Sequence, residues 1–259
     1  MAEGHNGLRP ALDAVLFDAG GTLVRLDLEW IARLAGEHGV PTTFEALRRA
    51  EVRGRRMYDR HAHGPRERKP GQDPAEMGMA SPTTVYWAGM LEGVGVRHPV
   101  LEEVLADMWR RQVSDDFLWG VAVEGAREAL DGVRALGLRA ACVSNADGRA
   151  EAHLKRAGLR EGLEFVLDSS REGVEKPDPE IFRRACARLG VAPERSLYVG
   201  DIRSVDEVGA AAAGMHFVLL DPFGDYAGET TRSIAAIADL PRHLRERFTV
   251  PAARPESPQ

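Results

Sequence analysis

Five short apolar runs limit what this chain can become. They are Ala14 to Phe17, Arg139 to Val143, Phe165 to Leu167, Leu197 to Val199, and Phe217 to Leu220. Each is near-continuous rather than alternating, the pattern of strands covered on both faces of a parallel sheet. Helical stretches take turns with the last four. Gly125 to Leu136 ends at Gly137, and Arg149 to Ala157 ends at Gly158. A third has Asp178 as N-cap, Pro179 at the first helical position and Gly190 just past its end. The fourth, Val205 to Ala213, stops at Gly214. This alternation predicts an α/β fold, a doubly wound, Rossmann-like parallel sheet.

The first run is followed by a segment of roughly ninety residues, far longer than an ordinary connection, so it reads as an inserted module. Leu28, Ile31, Leu34 and Ala35 keep a helical period, as do Leu101, Val104, Leu105, Met108 and Trp109. His61 to Pro74, rich in Pro, Gly and charge, reads as a loop between them. The expected division is a catalytic core at 1–25 and 120–250, an α-helical insert at 26–119, and a flexible tail at 251–259.

Composition narrows the partners. Of 259 residues, 44% are apolar and 29% charged, enough to bury a core. A net charge of -6 argues against general nucleic-acid binding and against adhesion to an acidic membrane. The arginines 48, 49, 53, 55, 56 and 60 read as the solvated face of a helix, with attraction of an anionic substrate as the alternative. Cys142 and Cys186 lie in apolar surroundings and read as core thiols, which suits a reducing cytoplasm. No signal peptide and no membrane span is expected. Assembly is left open, with a homodimer as one arrangement.

In an open α/β sheet, ligands bind beyond the carboxyl ends of the strands. Asp18-Ala-Gly-Gly-Thr-Leu23 follows the first strand, and Ser144-Asn145 the second. Lys176-Pro-Asp-Pro179 precedes the third helix, and Gly200-Asp201, with Asp206 five residues on, follows the fourth strand. Acids, a lysine and a hydroxyl at one sheet edge can hold a hard divalent cation and a phosphate together. Taken singly, Asp18 could cap a turn, Ser144 and Asn145 could end a strand, Lys176 could be a solvated surface lysine, and Asp206 could start a helix.

Together and in this order, these residues resemble the four motifs of the haloacid dehalogenase superfamily, over about Ala14 to Leu220. The resemblance implies that Asp18 is a nucleophile forming an aspartyl-phosphate. It implies that Lys176 neutralises phosphate charge and that Ser144, with the Asn145 region beside it, binds the transferring phosphoryl group. Asp18, the Gly20 carbonyl and Asp201 would hold Mg²⁺, with Asp206 supporting that shell. The insert would be a cap that closes over a phosphorylated small molecule.

One position departs from the pattern. Phosphatases of the superfamily carry a second aspartate, a general acid and base, where this chain has Gly20. That group is worth about 10²–10⁴-fold. Asp27, His61 or His63 could supply the proton instead. An acyl or aryl phosphate would need little help in departing. A catalytically weakened binding protein, a haloacid dehalogenase and a phosphonate hydrolase remain as alternatives. The last wants a cap lysine, and Lys69 is the insert's only one. If proton transfer limits the rate, Gly20→Asp should raise it.

Overall fold

In the computed structural model, which describes residues 9–62, 81–229 and 232–251, the five apolar runs line up in one sheet. β1 (Ala14–Phe17) leads to a small antiparallel pair of β2 (Val24–Leu26) and β3 (Trp119–Ala122). The remaining strands are β4 (Arg139–Ser144), β5 (Val166–Asp168), β6 (Ser196–Gly200), β7 (His216–Leu220) and the short edge strand β8 (Ser233–Ile234). The main sheet has the order β5-β4-β1-β6-β7-β8, and every pairing in it is parallel.

The near-continuous apolar runs are explained by cover on both faces. Val15 and Phe17 pack on one side with Ala129 and Val133 of α5 (Ala126–Ala135). Ala14 and Leu16 point the other way, toward Ile181 and Phe182 of α8 (Pro179–Leu189). Fully burying such a side chain contributes about 1.5–3 kcal/mol, so register is set by two cores at once. α8 starts where its sequence says. The Asp178 carboxylate accepts from the Glu180 N–H, Pro179 opens the helix, and Gly190 closes it with φ +65°.

Between β2 and β3 stand α1 (Leu28–Glu37), α2 (Phe44–Ala62), α3 (Pro82–Gly93) and α4 (Val100–Gln112), which share a hydrophobic cluster separate from those flanking the sheet. His61 belongs to α2 rather than to a loop. No amphipathic stripe announces α3, because Tyr86, Trp87, Met90 and Leu91 are buried around much of its circumference. Gly54 of α2 and Gly89 of α3 let these helices meet. A Cβ on Gly54 would lie 2.6 Å from the Tyr86 carbonyl oxygen, and one on Gly89 3.0 Å from the Gly54 Cα.

Past α6 (Ala150–Arg156) and the one-turn α7 (Ser169–Glu172), the expected helix from Val205 begins differently. Arg203–Glu207 forms a π-helical turn, and α9 proper is Val208–Ala213. The wide turn returns the Asp206 carboxylate to the Ile202 N–H, which it accepts at 3.0 Å. α10 (Leu240–Arg247) ends the described fold. Both cysteines are buried and unpaired, as expected. No described helix is long and apolar enough to cross a membrane.

Candidate active site

Asp18 leaves β1 as that strand ends, its N–H donating to the Val199 carbonyl of β6 at 2.8 Å. Beside it, Gly200 and Asp201 leave β6. Carboxylate oxygens of Asp18, Asp201 and Asp206, all three buried, lie within 4.8 Å of one another. Two glycines permit that crowding. A Cβ on Gly21, whose φ is +79°, would fall 2.2 Å from Asp201 Oδ2, and one on Gly200 2.3 Å from Asp206 Oδ2.

Lys176 answers the acids. Its Nζ donates to Asp18 Oδ1 at 2.7 Å, to Asp206 Oδ1 at 2.7 Å and to Tyr198 Oη at 2.8 Å. The Tyr198 hydroxyl donates onward to the Val143 carbonyl at 2.8 Å. Burial alone would pull the Lys176 amine down, but the charges of Asp18 and Asp206 outweigh it and hold it well above its ordinary value. Burial pushes the Asp18 carboxyl up to about 6 against the pull of Lys176. Asp201 is raised well above the carboxylate range, first by burial, with Arg55 opposing and the charges of Asp18 and Asp206 adding to it.

The other sequence-derived candidates divide. Ser144 is buried at the end of β4, whose register sets Cys142 beside Phe17. Asn145, grouped with the phosphate contacts on sequence grounds, uses both ends of its amide on one residue. Its Nδ2 donates to the Lys176 carbonyl and its Oδ1 accepts from the Lys176 N–H, each at 2.8 Å. That arrangement positions the lysine. Asp206 likewise engages both oxygens, one with Lys176 and the other with Ile202. In the turn after Asp18, the Ala19 carbonyl accepts from Leu23 and Val24, and Gly21 donates to Val24. Among the described residues, the Gly20 carbonyl accepts none of these turn bonds.

Gly20 does not face an acid. The three atoms nearest to a Cβ built there all belong to the Trp119 ring, the closest at 3.3 Å. Trp119 stacks on Tyr86 with centroids 6.3 Å apart. A side chain added at Gly20 would meet the indole at tight van der Waals range, so the ring must give by a few tenths of an ångström to admit it. Asp27 is committed elsewhere, capping α1 through the Trp30 N–H and pairing with Arg111 at 2.9 Å. His61 is exposed on the last turn of α2, with no bond to the site among the described residues. His63 and Lys69 lie outside the described residues.

Sequence reasoning missed Tyr198, Trp119 and, above all, Arg55. Read as part of a solvated basic face, Arg55 is in fact 2% exposed and lies beside Asp201. A signal existed. Leu47, Ala50, Glu51, Gly54 and Arg55 recur at helical spacing and are all buried, whereas Arg49, Arg53 and Arg60 fall on the exposed side. The same helix grips the segments that follow β6 and β7. Asp59 accepts from the Ser204 N–H at 3.0 Å and from the Tyr226 hydroxyl at 2.5 Å, and Arg56 pairs with Glu229 at 2.6 Å.

The chain belongs to the haloacid dehalogenase-like hydrolase family, whose pattern matches residues 12–214. It is 45% identical over 116 residues to the haloacid dehalogenase-like hydrolase domain-containing protein 3 of Mus musculus, covering 45% of this chain and 46% of that one. It is 36% identical over 124 residues to the phosphoglycolate phosphatase of Nitrosospira multiformis, covering 46% of this chain and 52% of the relative. The chain thus spans about half the length of the curated relatives it matches. Among solved structures, a family hydrolase from Deinococcus radiodurans with bound phosphate and sodium superposes with a TM-score of 0.58. It is 25% identical and covers 91% of this chain and 96% of that one. The protein is a hydrolase by family.

Proposed function

We propose that this hydrolase is a phosphatase that transfers the phosphoryl group of a small phosphorylated molecule to Asp18. The observation that carries the reading is the buried Lys176 amine, held 2.7 Å from both Asp18 and Asp206. It lets one carboxylate stay anionic beside an anionic phosphate. An Asp18 oxygen attacks phosphorus, the bond from phosphorus to the leaving oxygen breaks, and water then cleaves the aspartyl-phosphate to restore the carboxylate. The relationship to a phosphoglycolate phosphatase and the phosphate bound by the D. radiodurans hydrolase support this chemistry.

The donor set fits magnesium. It consists of oxygens only, within 4.8 Å, and Asp201 Oδ1 is buried with no hydrogen-bond partner among the described residues. Asp18, Asp201 and the Gly20 carbonyl would hold the ion, with Asp206 behind them securing Lys176 and the loop. When bound, Mg²⁺ supplies positive charge against the phosphoryl oxygens. The α1–α4 insert acts as the cap that shields the site from water.

With no side-chain acid at Gly20, leaving groups that depart without a proton are favoured, so acyl and aryl phosphates form the preferred class. A panel of phosphorylated compounds, assayed with Mg²⁺ and with chelator, tests the reading. Turnover that needs Mg²⁺ and vanishes in Asp18→Asn is expected. No turnover of any member, or activity that survives Asp18→Asn, counts against it. Halide release from a haloacid in the presence of chelator would turn the assignment toward dehalogenation.

A further inference from the structure

Lys176 uses every donor it has inside the protein. A lysine ammonium carries three N–H bonds and no acceptor. Two of them reach Asp18 Oδ1 and Asp206 Oδ1, each at 2.7 Å, and the third reaches Tyr198 Oη at 2.8 Å. The phenol oxygen therefore receives a hydrogen, and its own is turned to the Val143 carbonyl at 2.8 Å. Each hydrogen in this chain of bonds has one direction.

The fold sets the chain in place. Tyr198 stands on β6 and Val143 on β4, with β1 and its Asp18 between them. The bonds span β1 on the face covered by α8 and end one residue before Ser144. The Tyr198 ring is fully buried and lies edge-on to Phe182 of α8, centroids 4.9 Å apart. A ring held in this way fixes where its oxygen sits. Asn145 already holds the backbone of Lys176 from both directions, but a backbone contact leaves the end of a four-carbon side chain free to turn. Tyr198 is the neutral acceptor that stops it.

We propose that Tyr198 is a positioning residue for the reaction at Asp18. By taking the third ammonium hydrogen, it aims the other two at Asp18 and Asp206 and withholds all three from the substrate. The inference rests on the phosphatase reading above. Lys176 then acts on the phosphoryl group through its charge and through the facing of Asp18, not through a hydrogen bond of its own. A charge fixed before the substrate binds needs no reorganisation during the reaction. The contribution of Tyr198 therefore belongs to kcat and leaves KM alone.

The chain has three lysines, Lys69, Lys155 and Lys176, so the lysine amines can be followed one by one by NMR after ¹⁵N labelling. Metal-free wild type should show one ammonium signal protected from exchange with water, which persists in Lys69→Arg and in Lys155→Arg. Tyr198→Phe keeps the ring and removes the oxygen. It should lose that protection and lower kcat for 4-nitrophenyl phosphate by about 10- to 100-fold, with KM unchanged. Phe182→Leu loosens the ring without touching the hydroxyl, so it should lower the melting temperature while keeping both the protected signal and kcat. Protein grown on 3-fluorotyrosine, whose oxygen is a weaker acceptor, makes the same comparison if Tyr198→Phe does not fold. A wild type with no protected signal overturns the proposal. So does a Tyr198→Phe protein with wild-type protection and kcat, or a Phe182→Leu protein whose kcat falls as far. The two readings fail separately. A wild type that hydrolyses no ester retires the phosphatase reading, whereas the lysine spectrum needs no substrate and still decides whether Tyr198 fixes the amine.

Discussion

Lys176 on the sheet side and Arg55 on the helical side are both buried cations facing aspartates, yet they are held in opposite ways. Lys176 makes three hydrogen bonds of 2.7–2.8 Å, and Asn145 pins its backbone from both directions. Arg55 reaches its two aspartates only at 3.6 and 3.9 Å, and its Nη2 has no hydrogen-bond partner among the described residues. A cation fixed before substrate arrives needs no reorganisation when charge develops. The contrast teaches that the sheet rim fixes its cation by hydrogen bonds, while the helical side holds its own by ion pairs alone.

Removing the fixed cation is the severest challenge to that comparison. Lys176→Met leaves Asp18 and Asp206 facing each other unpaired. It should destabilise the fold by about 3–5 kcal/mol, as measured by denaturant unfolding. kcat should also fall by about 10²–10³-fold or more. A variant with wild-type stability would show that the lysine is not the keystone of the rim.

The next largest effect sits where the two sides touch. Gly20→Asp drives a side chain into the Trp119 ring and should destabilise by about 1–3 kcal/mol without raising the rate. Adding Trp119→Ala makes space, and the double variant should then gain activity on alkyl phosphates, by up to about 10²–10⁴-fold. A gain in Gly20→Asp alone would mean that the indole yields and does not shape the site.

A smaller effect should appear in the pH dependence of the metal-free protein. The Asp18 carboxyl is raised to about 6, above its unfolded value of 3.8, so the folded state binds its proton more readily. Stability contributed by this group therefore grows as pH falls through 6 and levels off below 3.8. Between pH 7 and 5, wild type should gain about 1 kcal/mol relative to Asp18→Asn in parallel melts. Mg²⁺, by favouring the anion, should erase that gain, and an identical slope in both proteins would refute the raised pKa.

The mildest change tests the grip of α2. Tyr226→Phe removes the hydroxyl that Asp59 accepts while leaving Asp59 its bond from Ser204. A loss of about 0.5–1.5 kcal/mol is expected, together with a raised KM and little change in kcat. A fall in kcat alone would place Tyr226 with the rim instead.

Much of the rim was legible because its signals are local. Buried parallel strands declare themselves as apolar runs, and the polar residues that end them must lie at one edge. Asp18, Lys176, Asp201 and Asp206 followed from that rule and from the superfamily resemblance. The β2–β3 pairing was not legible, since Val24–Leu26 and Trp119–Ala122 are short and far apart in sequence. Nor was the role of Tyr198, which reads as one more core aromatic until its hydroxyl is placed beside Lys176. Six clustered arginines read as one solvated face when only their charge is weighed, although the helical spacing that aligns Arg55 with Leu47, Ala50, Glu51 and Gly54 sets it apart.

The order of the elements, the two-sided burial of the sheet and the chemistry at its strand ends are written in the sequence, since each depends on residues close together along the chain. Which arginine turns inward to pair with Asp201 and Asp225, what stands in front of Gly20 and how Asp206 returns to its own loop were decided only in three dimensions. Those outcomes depend on the rotation of α2, set by the close Gly54–Gly89 approach to α3, on a distant strand carrying Trp119, and on the wide turn at Arg203–Glu207. Contacts between remote segments are fixed by packing, and packing has no local signature.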